Sequence, residues 1–503
     1  MAIAGSFSEF IQRPDSHKIY LADMRLMRRS AVGGTPETFP LYFSTEPYFP
    51  PPGSIIDYNE ALLGIPSYER STQEVFSGQS FPSFGPVILA NNAGTLDTSF
   101  SRNWTKDQPF LMRLGGPPDE VAYGNFGTVL AGIMGMQRNI SDQQIEIPIF
   151  DDQRRLTAKI PTTTFTSALG PNFPVGNEGM VIPIIYGEVH NFKPILTNQA
   201  TFGYGVASHA VTQIGSIYDN GANITANATI NTSTASFTLS KRPAGVVTCD
   251  VKGKTTQAGT YTDRVIGIVE AILIQEAGYG QSGLVKSQFD ALKISRNFKV
   301  GIAITQQKAI LEVIDELISG LLIFYGHNRN GSFDIHQFSA ASGTSTLTFQ
   351  DDVEIQEKFS LDISEPKWRV DITYDPNETV LAENVVAGTV SAERTAWFAN
   401  ANRTVSASDS TVIPFFPYAE SVPPITTRLL DKTDATTIAN EYLTLVKIPR
   451  KIIKAPFGVQ PLQVDLGDVI TLTRPRYDIC GQWRTIGIKE DYVNNTVELE
   501  LFQ

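Results

Sequence analysis

Residues 485–502 read TIGIKEDYVNNTVELELF, and residues 133–150 read IMGMQRNISDQQIEIPIF. Aligned without gaps, the two stretches share three residues, which are Gly135 with Gly487, Glu146 with Glu498, and Phe150 with Phe502. In the second half of each stretch, apolar residues alternate with other residues, which is the period of a half-buried strand. Any two β-hairpins share this alternation, so coincidence is one interpretation. The other is that the chain contains two copies of one β-barrel design.

Composition favours a chain of many short strands. The 503 residues are 42% hydrophobic and 10% aromatic, which is enough apolar material for packed cores and excludes a disordered chain. Only 18% of residues are charged, while 39 glycines and 30 prolines make the chain rich in turns. At roughly 100–200 residues per domain, this length predicts several domains.

We therefore predict a mainly β, multidomain fold with two similar β-barrel domains, a β-rich domain and a small α/β domain. The predicted domains are a first barrel over 1–165, a β-rich insertion over 166–260, an α/β domain over 261–345 and a second barrel over 346–503. Helical periodicity appears at 263–280, 287–296 and 305–321, and again at 433–446. Asn220-Gly221 and Asn330-Gly331 predict hairpin turns.

Charge follows the same division. Residues 1–165 hold 13 basic and 17 acidic side chains, and 346–503 hold 15 and 23, whereas 166–260 hold 5 and 4 and 261–345 hold 7 and 8. The whole net charge of −12 therefore lies in the two predicted barrel segments. Either these β surfaces carry the charge for solubility, or the acidic side chains line a functional surface.

Several classes of protein are excluded by this composition. An acidic chain lacks the basic footprint of a nucleic-acid-binding protein. Two cysteines, Cys249 and Cys480, are too few for a disulfide framework, a four-cysteine zinc site or an iron–sulfur cluster. The N-terminus has no basic region followed by an apolar one, so we expect no signal peptide. The longest apolar run, near 310–325, is broken by acidic residues, and we expect no stable membrane insertion.

A search for catalytic motifs yields only weak candidates. There is no phosphate-binding loop and no H-E-x-x-H zinc motif. Gly203-Tyr204-Gly205 lacks the third glycine of a dinucleotide site and is interpreted as a turn, and the stretch from Gly280 to Gly283 misses the nucleophile-elbow pattern by one position. The tightest polar group is in HNRNGSFDIH, with His327, Arg329, Asp334 and His336. A metal or acid–base pair is conceivable there, but we interpret it as a solvated hairpin tip.

The remaining candidates also have structural interpretations. Asp351, Asp352 and Glu354 could imitate a glycosidase carboxylate pair, but loop solubility explains them better. Cys249 is expected to be a small buried apolar residue, and Cys480 needs no disulfide partner. We therefore predict no catalytic, cofactor-binding or metal-binding residues, no cofactor, and a protein that is not an enzyme.

An ordered series of stretches resembles a known family. YLADMRL, LYFSTEPY, GPVILANNAGTLD, QPFLMRLGG and IEIPIFD follow one another in the first segment, and VIPIIYGEVHNFKPIL, SIYDNGANIT and RPAGVVTCDVKG continue the series. ILEVIDELISGLLIFYGHNRNGSFDIHQF and KAPFGVQPLQVDLGDVITLT complete it. The series resembles the tail-hub (baseplate hub or tail tip) proteins of long-tailed bacteriophages. It covers essentially the whole chain, and its specificity lies in the order rather than in any single motif.

The resemblance implies a structural virion protein at the distal end of the tail, assembled in the host cytoplasm. Such hubs are homotrimers whose two barrels per chain form a pseudo-sixfold ring. The ring adapts the sixfold tail tube, through the distal tail protein, to a threefold tip or central fibre. It also gates a channel for the tape measure protein and for DNA, which meets the hub only in transit. An acidic lumen suits that passage, because basic side chains would retain the phosphate backbone.

The chain stops at Gln503, straight after VELELF, whereas lambda-type tip proteins continue into fibre modules. We therefore expect host recognition to need separate chains. Two alternatives come from other classes of protein, namely a virion-associated enzyme that degrades the cell envelope and a receptor-binding tail adhesin. An enzyme should show convergent His, Asp and Glu side chains, and a fibrous adhesin should show short repeats.

Overall fold

The structure is a computed structural model that describes residues 3–13, 15–29, 35–50, 56–72, 76, 78–350 and 360–503. Strands make up 39% and helices 20% of it, so the prediction of a mainly β chain is confirmed. The α-helices are α1 (Phe7–Ile11), α2 (Asp97–Arg102), α3 (Val265–Gln275), α4 (Lys286–Ser295), α5 (Ile310–Ile318), α6 (Ala392–Ala399) and α7 (Lys432–Val446).

The strands are short and are numbered in chain order. The first eleven are β1 (Ile19–Arg29), β2 (Pro36–Ser44), β3 (Asn59–Glu60), β4 (Leu62–Gly64), β5 (Tyr68–Thr72), β6 (Gly78–Phe84), β7 (Val87–Ala90), β8 (Pro109–Gly115), β9 (Gly127–Met134), β10 (Gln144–Ile147) and β11 (Ile149–Phe150). The next eleven are β12 (Lys159–Ile160), β13 (Ile184–Phe192), β14 (Ile195–Asn198), β15 (Gly203–Gly205), β16 (Gln213–Asp219), β17 (Ala222–Asn223), β18 (Ala228–Asn231), β19 (Ser236–Leu239), β20 (Val247–Lys252), β21 (Gly301–Ile304) and β22 (Lys308–Ala309). The last ten are β23 (Ile323–His327), β24 (Phe333–Gln337), β25 (Leu347–Gln350), β26 (Ser360–Ile363), β27 (Arg369–Tyr374), β28 (Arg403–Ser408), β29 (Lys451–Phe457), β30 (Val469–Arg474), β31 (Ile479–Asp491) and β32 (Thr496–Phe502).

The chain divides into two compact units, each made of separate stretches of sequence. Unit 1 comprises Met1–Gln153, Phe324–Ser364 and Arg450–Gln503, and unit 2 comprises Arg154–Ile323 and Glu365–Pro449. The predicted segment 166–260 lies wholly in unit 2, and the predicted α/β segment 261–345 is divided between the units. The four-domain division stays a prediction.

The described residues of unit 1 form three sheets. One has six strands in the order β11-β9-β8-β1-β2-β3, and one has three in the order β10-β7-β4. The largest has ten strands, with the path β24-β23-β6-β5-β31-β32-β29-β26 and with β30 joining β25 to β31. Every sheet in the described part of the chain is an open path of strands. The two closed barrels that we expect are therefore not seen as closed rings of hydrogen-bonded strands.

The two stretches that suggested a repeat have one strand pairing in common and differ in register on both sides of it. In the first, Ile133 pairs with Phe150, and the Gly135 amide donates to the Pro148 carbonyl oxygen at 2.7 Å. In the second, Gly487 pairs with Glu500, and the alignment equates these residues with Gly135 and Pro148. The aligned equivalents of Ile133 and Phe150 do not pair, because Thr485 lies opposite Leu501. Towards the turn, Arg138 bridges Glu146, whereas Glu490 pairs with Val497. Both glycines lie close to the opposite strand, because a Cβ at Gly135 would come within 2.6 Å of the Phe150 ring and one at Gly487 within 3.0 Å of Glu500.

Unit 2 combines sheets with helices α3 to α7. Its five-stranded sheet has the order β17-β16-β20-β13-β21, its four-stranded sheet the order β14-β15-β19-β18, and β12-β22 and β27-β28 are two-stranded. The two larger sheets share a core that includes Val206, Ile217 and Cys249. Asn220 and Gly221 both have positive φ, 47° and 80°, as a two-residue hairpin turn between β16 and β17 requires.

The four predicted helices are confirmed as α3, α4, α5 and α7. In α5, the predicted apolar face is buried, and this face consists of Ile310, Val313, Ile314, Leu317 and Ile318. Helix α5 begins at Ile310 rather than at 305, because Lys308 and Ala309 pair with Ile160 and Lys159 as strand β22. A tertiary strand pairing thus replaces the first turn that periodicity alone predicts.

Candidate functional site

A buried ion pair joins the turn after β23 to strand β31 in unit 1. One guanidinium nitrogen of Arg329 lies 2.9 Å from a carboxylate oxygen of Glu490, and both side chains are almost fully buried. The same guanidinium donates hydrogen bonds to the carbonyl oxygens of Leu462 and Val464. A charged pair with its remaining donors satisfied is the form in which ions are tolerated inside proteins.

A second ion pair lies beside the first. Arg70 of β5 donates to Asp465 at 2.8 Å and, through Nε, to the Ser80 hydroxyl at 3.0 Å. The Tyr492 hydroxyl contacts the Glu490 carboxylate and lies 3.1 Å from the Val129 carbonyl oxygen. We call Arg70, Arg329, Asp465 and Glu490 the buried ionic cluster. Its two positive and two negative side chains balance one another.

The pKa values of the two acids in this cluster shift in opposite directions, because burial dominates at one acid and neighbouring positive charges dominate at the other. Burial raises the pKa of Glu490 to about 7, although Arg329 and the Tyr492 hydroxyl act against the rise. Burial also acts to raise the pKa of Asp465, but the charges of Arg70 and Arg329 outweigh it, and that pKa is lowered. The cluster holds β5, the turn after β23 and β31 in one arrangement, which is a structural role.

The four polar residues of the hairpin do not form one site. His327, Arg329 and Asp334 are buried, so the interpretation of a solvated hairpin tip is wrong. The structure pairs His336 with Asp334, at 2.9 Å from Nε2 to a carboxylate oxygen, and the His336 ring stacks on Phe324. His327 instead faces Asp151. The turn is packed inside unit 1 by strands distant in sequence, which the polar character of HNRNGSFDIH does not reveal.

Asp151, directly after β11, is a perturbed acid. Its carboxylate lies 3.9 Å from Nδ1 of His327, and burial, together with the nearby Asp152 charge, raises its pKa to about 7. A carboxyl group that titrates near neutrality can serve as a general acid or base when a substrate reaches it. Here the neighbouring groups are a buried imidazole and the backbone, so the pair is a structural one whose charge depends on pH.

The other sequence candidates lie apart from one another. Gly203-Tyr204-Gly205 forms strand β15 rather than the turn that we expect, because it pairs with β14 and β19. Gln281–Gly283 is a single 3-10 turn. Cys249 is buried on β20, as expected, and burial raises the pKa of its thiol, whereas Cys480 is exposed. Asp351, Asp352 and Glu354 lie outside the described residues.

Unit 2 has its own titratable group, the half-buried His190 near the end of β13. Its Nδ1 is 3.1 Å from Asp375, which also accepts a hydrogen bond from the Trp397 indole at 2.8 Å and pairs with Arg403 at 3.0 Å. Burial acts to lower the pKa of His190, but hydrogen bonds to Asp375 and Glu188 outweigh it and raise this pKa to about 9. Sequence analysis does not single out this histidine.

Sequence reasoning missed Arg70, Asp465, Glu490 and His190. Each lies in or beside a strand whose apolar residues dominate the pattern, and each has a partner more than a hundred residues away. The available signal is a charged residue at an inward position of an alternating strand, such as Arg70, which lies two residues after buried Tyr68. Within the described ranges, no group of three His, Cys, Asp or Glu side chains could hold a metal ion. No described helix is both long and apolar enough to cross a membrane.

Comparison with known proteins gives likenesses only among solved structures. No protein-family model matches the chain, and no curated protein matches it significantly. A tail protein from Neisseria meningitidis MC58 is 8% identical, with 96% of each chain covered and a TM-score of 0.39. A 43 kDa tail protein of prophage MuSo2 from Shewanella oneidensis is 9% identical, with 96% of this chain and 98% of that chain covered and a TM-score of 0.39.

A chain of the native gene transfer agent virion is 12% identical, with 70% of this chain and 91% of that chain covered and a TM-score of 0.40. The structural neighbours are thus phage tail proteins or virion components, which is the class of protein that the sequence resembles. Because these TM-scores are below 0.5, the function is argued from the chain itself.

Proposed function

We propose that this chain is a structural subunit of a phage tail, namely a homotrimeric hub at the distal end of the tail. One observation carries the proposal. Two aligned stretches, 133–150 and 485–502, have one equivalent strand pairing, Gly135 opposite Pro148 and Gly487 opposite Glu500, and both lie in one compact unit. The shared pairing supports the internal duplication that a ring with two similar modules per chain needs.

The strand connections of the first segment support a first barrel. β3 and β4 are separated only by Ala61, and β3 pairs with β2 while β4 pairs with β7. Likewise β10 and β11 are separated only by Pro148, and they pair with β7 and β9. The β3–β4 segment therefore links β2 to β7, and the β10–β11 segment links β7 to β9. Together with the pairings of β9 with β8, β8 with β1 and β1 with β2, these two links lead once around a ring of strands.

The C-terminal segment supports a second barrel in a similar way. Strands run in the order β25-β30-β31-β32-β29-β26, and the two ends of this path, β25 and β26, follow one another in sequence. β25 is parallel to β30 and β26 is antiparallel to β29, so both end strands point in the same direction. End strands that are consecutive in sequence and point in the same direction are compatible with a small closed barrel.

Three copies of such a chain would present six barrels, which matches a sixfold tube to a threefold tip or central fibre. On this proposal, the distal tail protein contacts the barrel ring, and the tape measure protein and DNA pass through its channel during ejection. The surfaces facing the threefold axis should carry more Asp and Glu than Lys and Arg, because basic side chains would retain DNA. The four segments would act as two barrels, a β-rich insertion and an α/β domain.

The same proposal assigns the chain to the virion, with assembly in the host cytoplasm, and gives it no catalytic step, cofactor or metal. Support for a structural role comes from the buried ionic cluster and the His336–Asp334 pair, whose side chains are largely enclosed by protein. An assay for degradation of host cell walls with the purified chain tests the competing enzyme. Activity abolished by His336→Gln, in a variant that stays folded, would favour that alternative.

The decisive experiment is a mass measurement by light scattering, followed by electron microscopy down the symmetry axis. We expect a mass of three times the chain mass of 55.1 kDa and a ring with six similar densities around a channel. A chain that stays monomeric over the accessible concentration range, or a hexamer with one barrel per subunit, would contradict the proposal.

A further inference from the structure

Residues 413–418, Ile-Pro-Phe-Phe-Pro-Tyr, form an exposed apolar stretch of unit 2 that we call the aromatic segment. Phe415 is 80% and Tyr418 is 96% exposed, and Ile413 and Phe416 are 41% and 38% exposed. Such side chains lack the favourable free energy that burial of a large apolar group provides. Contiguous exposed apolar surface of this kind is typical of docking sites.

The aromatic segment is held in place by its own hydrogen bonds. The Phe416 amide donates to the Val412 carbonyl oxygen at 2.9 Å, and the Ala419 amide donates to the Phe416 carbonyl oxygen at 2.9 Å. Val412, directly before the segment, is buried and anchors it to unit 2. A cavity of about 310 Å³ lies beside the aromatic rings of the segment. A surface that is ordered before it binds loses little conformational entropy on binding.

Unit 2 presents a second apolar stretch, residues 169–180, which we call the apolar loop. Leu169, Val175 and Met180 are 55%, 81% and 41% exposed. The loop is anchored by buried Phe173, and the Gln199 amide donates to the Asn172 carbonyl oxygen at 2.9 Å. It too is therefore a formed surface.

The scarcity of charge on these two surfaces indicates which class of partner they bind. Residues 410–419 contain no charged side chain, and Glu365 is the one charged residue that lines the cavity beside them. The flanking acids, Asp409 and Glu420, lie 3.2 Å and 3.3 Å from Lys447 and Lys367. The apolar loop carries one charge, on Glu178, which accepts a hydrogen bond from the Ser167 hydroxyl. A surface that binds anionic lipid or nucleic acid carries clustered Lys and Arg side chains. A nearly uncharged apolar surface fits a protein partner of the same character.

We propose that the aromatic segment of one copy docks on the apolar loop of the next copy around the threefold axis. This inference rests on the proposed trimer and names its interface. In a cyclic trimer every contact is heterologous, so each chain must present two different complementary surfaces. Unit 2 presents two such surfaces, both apolar and nearly uncharged.

The area available suits such a contact. With aromatic side chains covering 150–250 Å² each, the exposed parts of the two stretches supply on the order of 800 Å² of apolar area per contact. Apolar atoms make up about 60% of a typical interface, so the total would be roughly 1,300 Å². This exceeds the roughly 1,000 Å² that a specific interface needs.

The test uses full-length chains with one charge placed on either surface, Tyr418→Asp and Val175→Asp. Each variant alone should be monomeric at concentrations at least 100-fold above those at which the wild type dissociates, because a buried unpaired charge opposes assembly. Ile294→Asp, at an 84% exposed residue of α4 outside both stretches, is the matched control and should stay trimeric. Thermal unfolding of each variant checks that it is folded.

Mixing the two variants tests the head-to-tail arrangement. Each mixed pair retains one intact aromatic segment and one intact apolar loop, so the mixture should form one-to-one dimers that neither variant forms alone. If both variants remain trimeric, the interface proposal is overturned while the hub stands. If Val175→Asp assembles normally and Tyr418→Asp does not, the aromatic segment binds elsewhere and the proposed pairing is overturned. A monomeric wild type would overturn both proposals.

Discussion

The guanidinium of Arg329 and the carboxylate of Glu490 lie 2.9 Å apart in the interior of unit 1, where both side chains are almost fully buried. The two residues come from segments that the sequence assigns to different predicted domains. Their ion pair, with Arg70 and Asp465 beside it, places the turn after β23 against strand β31. The contact thus belongs to the tertiary packing of unit 1 and to no local motif.

Removal of one partner of this pair should be strongly destabilising. We expect Arg329→Leu to lower the free energy of unfolding by about 3–5 kcal/mol, because Glu490 is left as a buried, unpaired acid. Thermal and urea denaturation of the full chain would measure the loss. Arg28→Leu, which breaks the exposed pair with Glu37, is the control and should cost less than about 1 kcal/mol. Equal effects of the two substitutions would contradict the assigned role.

His190 should make unit 2 less stable in alkaline solution. Its folded-state pKa, about 9, lies above its ordinary value of 6.5, so its contribution is fully present below pH 6.5 and is lost as the pH rises through 9. The loss should be about 1–3 kcal/mol. Unfolding temperatures measured from pH 6.5 to 9.5 should fall, and His190→Gln should flatten that decline. His17→Gln, at an exposed histidine, should leave the decline unchanged.

Asp151 should also make the folded chain less stable as the pH rises, but the cause is the burial of an acid. Burial raises the pKa of this carboxyl from 3.8 to about 7, so the folded state favours the protonated form, and its contribution is lost as the pH rises through 7. Asp151→Asn, which mimics the protonated acid, should raise the unfolding temperature at pH 8 and leave it nearly unchanged at pH 4. Asp491→Asn should destabilise at pH 8, because hydrogen bonds from Asn494 lower the pKa of Asp491. Stabilisation by Asp151→Asn at both pH values would contradict this account.

The two thiols should react differently. Cys480 is exposed, whereas Cys249 is buried in the unit 2 core and burial raises its pKa, so only one thiol per native chain should react with a thiol reagent at pH 8. Mass spectrometry of the labelled chain would locate the adduct on Cys480. Both thiols should react after denaturation, and Cys480→Ser should abolish native labelling. Rapid native labelling of Cys249 would show that the core of unit 2 opens readily.

Local periodicity decided which segments are strands and which are helices. The alternation at Ile145–Ile149 and Val497–Leu501, and the apolar face of Ile310–Ile318, depend on side-chain spacing over a few residues, so the sequence alone predicts β10, β11, β32 and α5. The ungapped alignment also predicted one shared pairing, because Gly135 and Gly487 occupy equivalent places beside the opposite strand. The mainly β character follows from the same local rules.

Tertiary structure alone decided which polar residues are buried and which stretches of chain form a unit. HNRNGSFDIH reads as an exposed turn, yet Arg329 is buried, because the carbonyl oxygens of Leu462 and Val464 and the carboxylate of Glu490 satisfy its donors. Strand β22 likewise shortens the predicted helix α5 through its pairing with β12. Such contacts join residues more than a hundred positions apart, and the free energy of burying a charge depends on partners that no local pattern specifies.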